Sequence, residues 1–256
     1  MWLSLLRSAP APYATQAPPL FFHHIPKTAG TSLIQAMQAM TPAELQHTET
    51  GNLSAPFVAD LVARGLRPGQ FIYGHPLAGA ALPLRGGARI VTLLRHPRSQ
   101  AISNYLWVRK DKYVPDHALA RQVSFAEFLL ARPYFAIFQA GSLFTGIQQI
   151  ELHRAEDLID QLPAVFAYLE EMHLVGTVEQ VQSFYARLAT DMGNDRPRRL
   201  PRRNPTWVTR WRRAALAAEF EAVQHHPALA PLFAAEHAVY AKARALGRAA
   251  GLHEAE

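Results

Sequence analysis

The segment from Leu20 to Leu33 reads LFFHHIPKTAGTSL, and it decides the fold of this chain. Its first half is an apolar run of the kind that forms a buried strand. Pro26 has no N–H to donate and therefore ends that strand. From Ser32 onward the apolar residues recur at helical spacing, at Leu33, Ile34, Met37 and Met40. A strand, a short loop of small and cationic residues and a helix N-terminus follow in order, which is typical of a phosphate-binding loop.

The loop between this strand and this helix is suited to an anion. Backbone N–H groups and the positive end of the helix dipole would face the ligand, Gly30 would let the backbone approach closely, and Lys27 would supply a full charge. The pattern is not a Walker A motif, in which the lysine follows the second of two glycines. Here Lys27 stands three residues before the single glycine of the loop.

Composition restricts the class of protein. The chain has 256 residues, of which 49% are hydrophobic and 18% charged, so it can bury the core of one folded domain. It contains no cysteine, which excludes disulfides, thiolate metal sites and cysteine nucleophiles. The net charge of +6 favours an anionic ligand such as a nucleotide, a polysaccharide or a nucleic acid. The apolar run at residues 2–6 is too short for a signal peptide or a membrane span, so we expect a soluble, cytoplasmic, bacterial protein.

Further strands and helices alternate along the chain. Short strands are predicted at 70–75, 89–95 and 173–178, and the second of these is a continuous apolar run suited to a parallel sheet. Helical patterns follow the second and third of these strands, and others are predicted at 123–131 and 146–162, with a further helix start capped by Thr41. The alternation predicts a single α/β domain with an open, mainly parallel sheet flanked by helices. We place this domain at residues 20–250, after a flexible lead-in at 1–19.

A second anion site is predicted where the strand at 89–95 ends. Arg95 stands at its carboxyl end, where ligands bind in open α/β sheets. Its planar guanidinium matches a phosphate. Ser103 lies two turns into the following helix, and its hydroxyl would reach the same phosphate if that helix packs alongside.

These residues resemble those of a known family. The string PKTAGTS at residues 26–32 closely resembles the 5′-phosphosulfate loop of sulfotransferases that use PAPS (3′-phosphoadenosine 5′-phosphosulfate), in the branch of the heparan sulfate 2-O-sulfotransferases and their bacterial relatives. The spacing from Arg95 to Tyr105 is similar to the family's 3′-phosphate site. Weaker similarities lie at 139–146, 174–179 and 236–240. The resemblance thus spans about residues 20–245 and implies a P-loop-like sulfotransferase fold.

The resemblance also implies roles for individual residues. The cofactor would be PAPS, with PAP as its product, and no metal would be needed. Arg95 and Ser103 would hold the 3′-phosphate. Lys27 would also neutralise the charge that develops on the bridging oxygen. The residues implied around the 5′-phosphate are Lys27, Thr28, Ala29, Gly30, Thr31 and Ser32.

A histidine is expected to take the proton from the acceptor hydroxyl, because its pKa lies near neutral pH. His75 ends the segment FIYGH, which is similar to the family segment whose Gly-His histidine is the proposed base. Of His23 and His24 on the first strand, one is expected to point into the core and the other to approach the site, and a structural role is the interpretation favoured for both. His96 stands where family members often carry an aspartate.

The segment 192–211 is rich in arginine and proline. Three interpretations are open: a lid over the nucleotide, a track for an anionic acceptor, or a solvated loop. Its arginines include Arg196, Arg198, Arg199, Arg202 and Arg203.

The function predicted from these patterns is transfer of a sulfuryl group from PAPS to an acceptor hydroxyl, expected on a carbohydrate. Sugar, lipid, peptide and small-molecule acceptors are all compatible with the motifs. One alternative is a P-loop-like phosphotransferase, which the position of Lys27 and the lack of an acidic strand end disfavour. Another is a basic nucleic-acid-binding protein. The chain contains neither the aromatic stacking motif nor the helix-turn-helix pattern expected for that role, which disfavours this alternative. We therefore expect neither a nucleic-acid partner nor a membrane span.

Overall fold

The computed structural model of the chain describes residues 17–49, 51–77, 79–148, 154–194, 199–200 and 210–254. Within these ranges, six short strands form one sheet: β1 (Leu20–His23), β2 (Gln46–His47), β3 (Asn52–Leu53), β4 (Phe71–Pro76), β5 (Arg89–Leu94) and β6 (Leu174–Thr177). Their order is β2-β4-β1-β5-β6, and β3 pairs with the last two residues of β4, whereas β2 pairs with its first two. Every pairing between these strands is parallel.

Eleven helices accompany the sheet in the described part of the chain. They are α1 (Gly30–Gln38), α2 (Ala55–Ala63), α3 (Pro97–Lys110), α4 (His117–Gln122), α5 (Phe125–Ala131), α6 (Phe138–Ile147), α7 (Asp157–Asp160), α8 (Leu162–Glu171), α9 (Val181–Asp191), α10 (Arg210–Val223) and α11 (Ala230–Ala249). The predicted single α/β domain, with a mainly parallel sheet flanked by helices, is confirmed.

The central strand β1 contributes side chains to the cores on both faces of the sheet, because successive side chains of a strand point in opposite directions. Phe21 packs into the larger core, which also contains buried residues of α6, α8 and α11. Leu20 and Phe22 pack into the smaller core on the other face, with residues of α1 and α9. Both faces are therefore covered, as parallel sheets require.

The strand order places the loop after β1 at the switch point of the sheet. β1 lies between β4 and β5, so the carboxyl ends of all three strands meet at one edge. In open α/β folds this crevice is where ligands bind. The residues that leave the sheet here are His24 after β1, His75 near the end of β4 and Arg95 after β5.

Local sequence signals explain some helix ends but not all. The predicted capping box of Ser124 and Glu127 at the start of α5 is present. The helix start predicted at Thr41 is wrong. The Thr41 hydroxyl instead donates to the Met37 carbonyl at the end of α1, and only a 3-10 turn follows at Ala43–Leu45.

The helix predicted at 146–162 is also wrong. The helical segment α6 runs from Phe138 to Ile147, and α8 begins only at Leu162. Between them lies the four-residue helix α7 (Asp157–Asp160), and residues 149–153 lie outside the described residues. The start of α6 depends on a carboxylate from a distant helix, described below, which a local pattern does not contain.

At the N-terminal end, residues 1–16 of the predicted lead-in lie outside the described residues. The chain is tied to the sheet from Ala17 onward, because the Ala17 carbonyl accepts from the Gly69 N–H and the Pro19 carbonyl accepts from the Arg89 N–H. Within the described ranges, no helix is both long enough and apolar enough to cross a membrane.

Candidate functional site

The loop between β1 and α1 has an unusual backbone. Lys27 and Ala29 have φ values of 69° and 65°, in the left-handed region that non-glycine residues rarely adopt. Such conformations cost roughly 1–3 kcal/mol each and persist only where the surroundings enforce them. Here the Thr28 hydroxyl donates to the Ile25 carbonyl at 2.8 Å, and the Gln100 amide donates to the Pro26 carbonyl at 2.7 Å. Side chains thus hold the loop from inside and from α3.

The strained loop leaves backbone donors available. The N–H groups of Ser32 and Leu33 bond to the Ala29 carbonyl, whereas those of residues 27–31 have no acceptor among the described residues. Left-handed residues beside a helix N-terminus turn successive N–H groups toward one point, which makes a concave anion site. The helix dipole adds positive potential there.

The six predicted loop residues differ in what they can contribute. The Thr28 hydroxyl is already used within the loop, so only its N–H is available to a ligand. Thr31 is exposed on the first turn of α1, and Ser32 is buried beside it. The structure explains the glycine at position 30 in a way that the sequence did not suggest, because a Cβ atom there would lie 1.9 Å from Nε2 of His24. Its missing side chain makes room for that imidazole.

Lys27 brings a cation to the same place. Its Nζ lies 6.0 Å from the centroid of the Trp107 ring, at the far half of α3. Burial lowers the pKa of Lys27, and the charges of Arg95 and Lys110 lower it further. A bound anion would relieve this repulsion, so the electrostatics of the site favour a negatively charged ligand.

Arg95 is held rigidly over the loop. Its Nη1 donates to the Lys27 carbonyl at 3.1 Å, and its other guanidinium N–H groups have no acceptor in the described part of the chain and could meet a ligand. Its backbone is clamped by Gln139, whose Oε1 accepts from the Arg95 N–H at 2.7 Å and whose Nε2 donates to the Arg95 carbonyl at 2.9 Å. Burial lowers the pKa of the Arg95 guanidinium, with smaller effects from Glu179 and Arg213.

A buried carboxylate supports this clamp. Glu236 of α11 accepts from the N–H and side-chain amide of Gln139, at 3.0 and 2.9 Å, and from the Ala140 N–H at 3.1 Å. It therefore caps the first turn of α6. Burial raises the pKa of Glu236 to about 7, although its three hydrogen bonds act in the opposite direction. Gln139 and Glu236 fall within two of the weak family similarities, which meet here around Arg95.

The helix α3 turns polar side chains toward the loop. Gln100 bonds to Pro26 and Trp107 lies near Lys27, so residues spaced between them share that side of the helix. Among the described residues, the buried Ser103 Oγ, Gln100 Oε1 and both amide atoms of Asn104 have no hydrogen-bond partner. A buried polar atom without a partner costs about 1–3 kcal/mol, so such a group needs an explanation, which a polar ligand would provide. Sequence reasoning selected Ser103 and missed Asn104.

His75 has the geometry of a general base. Its Nδ1 lies 2.5 Å from the His24 carbonyl oxygen. Because a carbonyl only accepts, Nδ1 carries the proton and Nε2 has the lone pair. Burial lowers the pKa of His75, so the ring is neutral at pH 7. The second histidine of this pair, His24, stacks its own ring on that of His75 with centroids 4.4 Å apart.

The other candidate histidines have different surroundings. His23 is fully buried, with Nδ1 accepting from the Tyr168 hydroxyl at 3.1 Å and Nε2 donating to the Ser142 carbonyl at 3.3 Å, in agreement with the structural role expected of it. His96 contacts the rings of His237 and Tyr240 edge-on, with centroids 5.5 and 5.4 Å away.

The basic segment 192–211 is described only in part. Leu200 packs into the smaller core and exchanges two backbone hydrogen bonds with the side chain of Gln182. Arg196, Arg198, Arg202 and Arg203 lie outside the described residues, so the lid, the acceptor track and the solvated loop all stay open as interpretations. In the described part of the chain, no group of three or more histidine and acidic side chains is arranged to hold a metal.

Comparisons with known proteins complete the description. No protein-family model matches the chain, and no curated protein matches it. Among solved structures, the chain is similar to the mouse sulfotransferase SULT7A1 complexed with PAP, at 12% sequence identity and a TM-score of 0.33, over 84% of this chain and 87% of that one. At this identity and score, function has to be argued from the residues of the chain itself.

Proposed function

We propose that this chain is a PAPS-dependent sulfotransferase that acts on a hydroxyl group. The observation that carries the proposal is the meeting, at one edge of the sheet, of an N–H-lined loop with Lys27, a clamped Arg95 and a histidine with a free Nε2. The close resemblance of residues 26–32 to the 5′-phosphosulfate loop selects sulfuryl transfer among the reactions that such a site supports.

The residues present fit a nucleotide with two separate phosphate groups. The N–H groups of residues 27–31, with Lys27, Thr31 and Ser32, would hold the 5′-phosphate. Arg95 and Ser103 would hold the 3′-phosphate, which would give the Ser103 hydroxyl the partner that it lacks among the described residues. When bound, PAPS supplies a sulfuryl group already activated on a phosphate leaving group.

The chain's own groups would then assist an in-line displacement. Nε2 of His75 would accept the proton of the acceptor hydroxyl. The imidazolium that forms keeps its Nδ1–H on the His24 carbonyl, which stabilises the positive charge. Lys27 would neutralise the negative charge that develops on the leaving group.

We also propose that the acceptor is a carbohydrate hydroxyl. Support comes from the similarity of residues 24–33 to the branch of glycan sulfotransferases and from the net charge of +6, which favours anionic glycans. The Lys27 ammonium lies near Trp107, which would place an aromatic ring beside the reacting groups.

Calorimetric titration with PAP tests the cofactor site. We expect micromolar binding, and a loss of at least about tenfold, or ~1.4 kcal/mol, in both Lys27→Ala and Arg95→Ala. Arg64→Ala is the matched control, because Arg64 pairs with Asp60 at the surface of α2. Transfer of label from PAPS to a panel of glycans then identifies the acceptor. No binding of PAP, or equally tight binding of ATP, would contradict the proposal.

A further inference from the structure

The proposed base is the end of an aromatic ladder on one face of the sheet. Alternation along β1 places Phe22 and His24 on the same face, with ring centroids 5.4 Å apart and planes at 22°. Alternation along β4 places Phe71 and Tyr73 together in the same way, at 4.8 Å and 24°. His75 is the next residue of β4 on that face.

The two ladders join at their carboxyl ends. His23 is in register with Gly74, and the His24 N–H donates to the Gly74 carbonyl at 3.0 Å, so His24 and His75 lie side by side on neighbouring parallel strands. Their rings stack with centroids 4.4 Å apart and planes at 29°. His24 therefore holds His75 twice, through its carbonyl at Nδ1 and through its ring.

His24 is in turn held by the phosphate-binding loop. The three atoms nearest to a Cβ built on Gly30 are all in the His24 ring, at 1.9, 2.0 and 2.8 Å. Only a residue without a side chain at the first position of α1 leaves space for this imidazole. The ring thus lies against the start of α1 and against His75, and it connects the anion site with the proposed base.

We infer that His24 is a positioning residue for His75: its flat ring, seated on Gly30, fixes the plane of the His75 imidazole so that Nε2 faces the acceptor. The inference rests on the proposed function, in which His75 is the base. It adds a role for His24 and a reason for the glycine at position 30.

The charges around the pair suit this role. Burial lowers the pKa of His24 to about 3, and the neighbouring His75, His23 and Lys27 lower it in the same direction. His24 therefore stays neutral while His75 accepts a proton, and the pair holds a single positive charge.

Three variants distinguish the effect of the flat His24 ring from the effect of its ring nitrogens. His24→Ala removes the stack, His24→Phe keeps a flat ring without ring nitrogens, and His225→Ala removes an exposed histidine as the control. For His24→Ala we expect kcat to fall about tenfold or more while the Kd for PAP changes less than threefold. His24→Phe should recover most of the rate, and His225→Ala should match the wild type.

Nitrogen-15 NMR of His75 provides a readout independent of activity. In the wild type and in His24→Phe, we expect one tautomer with the proton on Nδ1. In His24→Ala we expect a mixture of tautomers and a pKa that moves up toward the ordinary value, because water reaches the ring. Wild-type tautomer and rate in His24→Ala would overturn the inference, as would His24→Phe behaving no better than His24→Ala.

The two arms distinguish this inference from the proposed function. If the wild type transfers no sulfuryl group from PAPS, the proposed function fails, while the NMR comparison still decides whether His24 orients His75. Should His24→Ala fail to fold, Gly30→Ala displaces the same ring from the opposite side and is measured instead, with the same tautomer change expected. An unchanged tautomer in that variant would overturn the inference.

Discussion

His23 and His24 are neighbours in the chain, but β1 directs their side chains to opposite faces of the sheet. His23 faces α6 and α8, where it is fully buried and both ring nitrogens have protein partners. His24 faces α1, where its ring is half-buried and stacks on His75. One strand end thus serves the core on one face and the candidate site on the other. The difference is set by which elements cover each face, since the residue type is the same.

Substitutions on the face of the sheet that carries the candidate site should have the largest effect, and it should be on the rate of sulfuryl transfer. His75→Ala removes the proposed base, and we expect kcat to fall by about 10²–10⁴, the contribution typical of general base catalysis. The Kd for PAP should stay within a factor of three. Single-turnover transfer from PAPS measures the rate, with His225→Ala as the control. A loss below tenfold would mean that another group takes the proton.

Substitutions on the opposite face, where His23 packs into the core, should lower the free energy of unfolding. His23→Ala leaves a cavity and removes the partners of the Tyr168 hydroxyl and the Ser142 carbonyl. We expect the free energy of unfolding to fall by about 3 kcal/mol. Urea unfolding followed by circular dichroism measures this loss. If the folded variant also lost its affinity for PAP, the two faces would not be as separate as their contacts indicate.

Lowering the pH should reduce the free energy of unfolding through His23. Burial lowers the pKa of His23 from 6.5 to about 3, so the unfolded chain binds a proton there more readily than the folded chain. The stability that His23 contributes is full above pH 6.5 and is lost as the pH falls toward the folded value. Between pH 7 and pH 5 this amounts to about 2 kcal/mol.

His23→Gln is the matched variant for this pH effect, because it keeps a polar side chain that does not titrate. Urea midpoints at pH 5, 6, 7 and 8 should fall less steeply with acid than in the wild type. Parallel curves for the two proteins would contradict the assignment of the effect to His23.

The contact between His24 and the loop predicts a coupled pair of variants. Gly30→Ala forces a Cβ into the His24 ring, and we expect a loss of about 2 kcal/mol in the free energy of unfolding. In the His24→Ala background the clash is gone, so Gly30→Ala should cost less than about 1 kcal/mol there. Thermal unfolding of the four proteins gives the coupling, and strict additivity would argue against the contact.

The smallest effect concerns the loop backbone. Ala29→Gly relieves the left-handed conformation and should stabilise the protein by about 1 kcal/mol. The matched control is Ala39→Gly, at an exposed right-handed position after α1, where the same change should destabilise by a few tenths to 1 kcal/mol. If both substitutions raised the melting temperature, or both lowered it, the backbone of Ala29 would not be strained.

Several parts of the fold and site could be predicted from local patterns. The strand, loop and helix at 20–38, the strand before Arg95 and the capping box of α5 all follow from side-chain periodicity, proline and short-range hydrogen bonding. The same patterns identified Lys27 and Arg95, because a cation in a glycine loop or at a strand end is a local signal. They failed at the start of α6, whose first turn is capped by Glu236, 97 residues from Gln139.

The sequence by itself determined which segments form strands and which loop carries the cation, because these depend on residues a few positions apart. Only the tertiary structure decided that His24 lies beside His75, that Gly30 seats the His24 ring, and that Gln139 clamps Arg95. The first of these contacts depends on β4 lying beside β1 in the sheet, and the last depends on α6 packing against the end of β5. Strand order results from packing the whole chain, and no short stretch of residues specifies it.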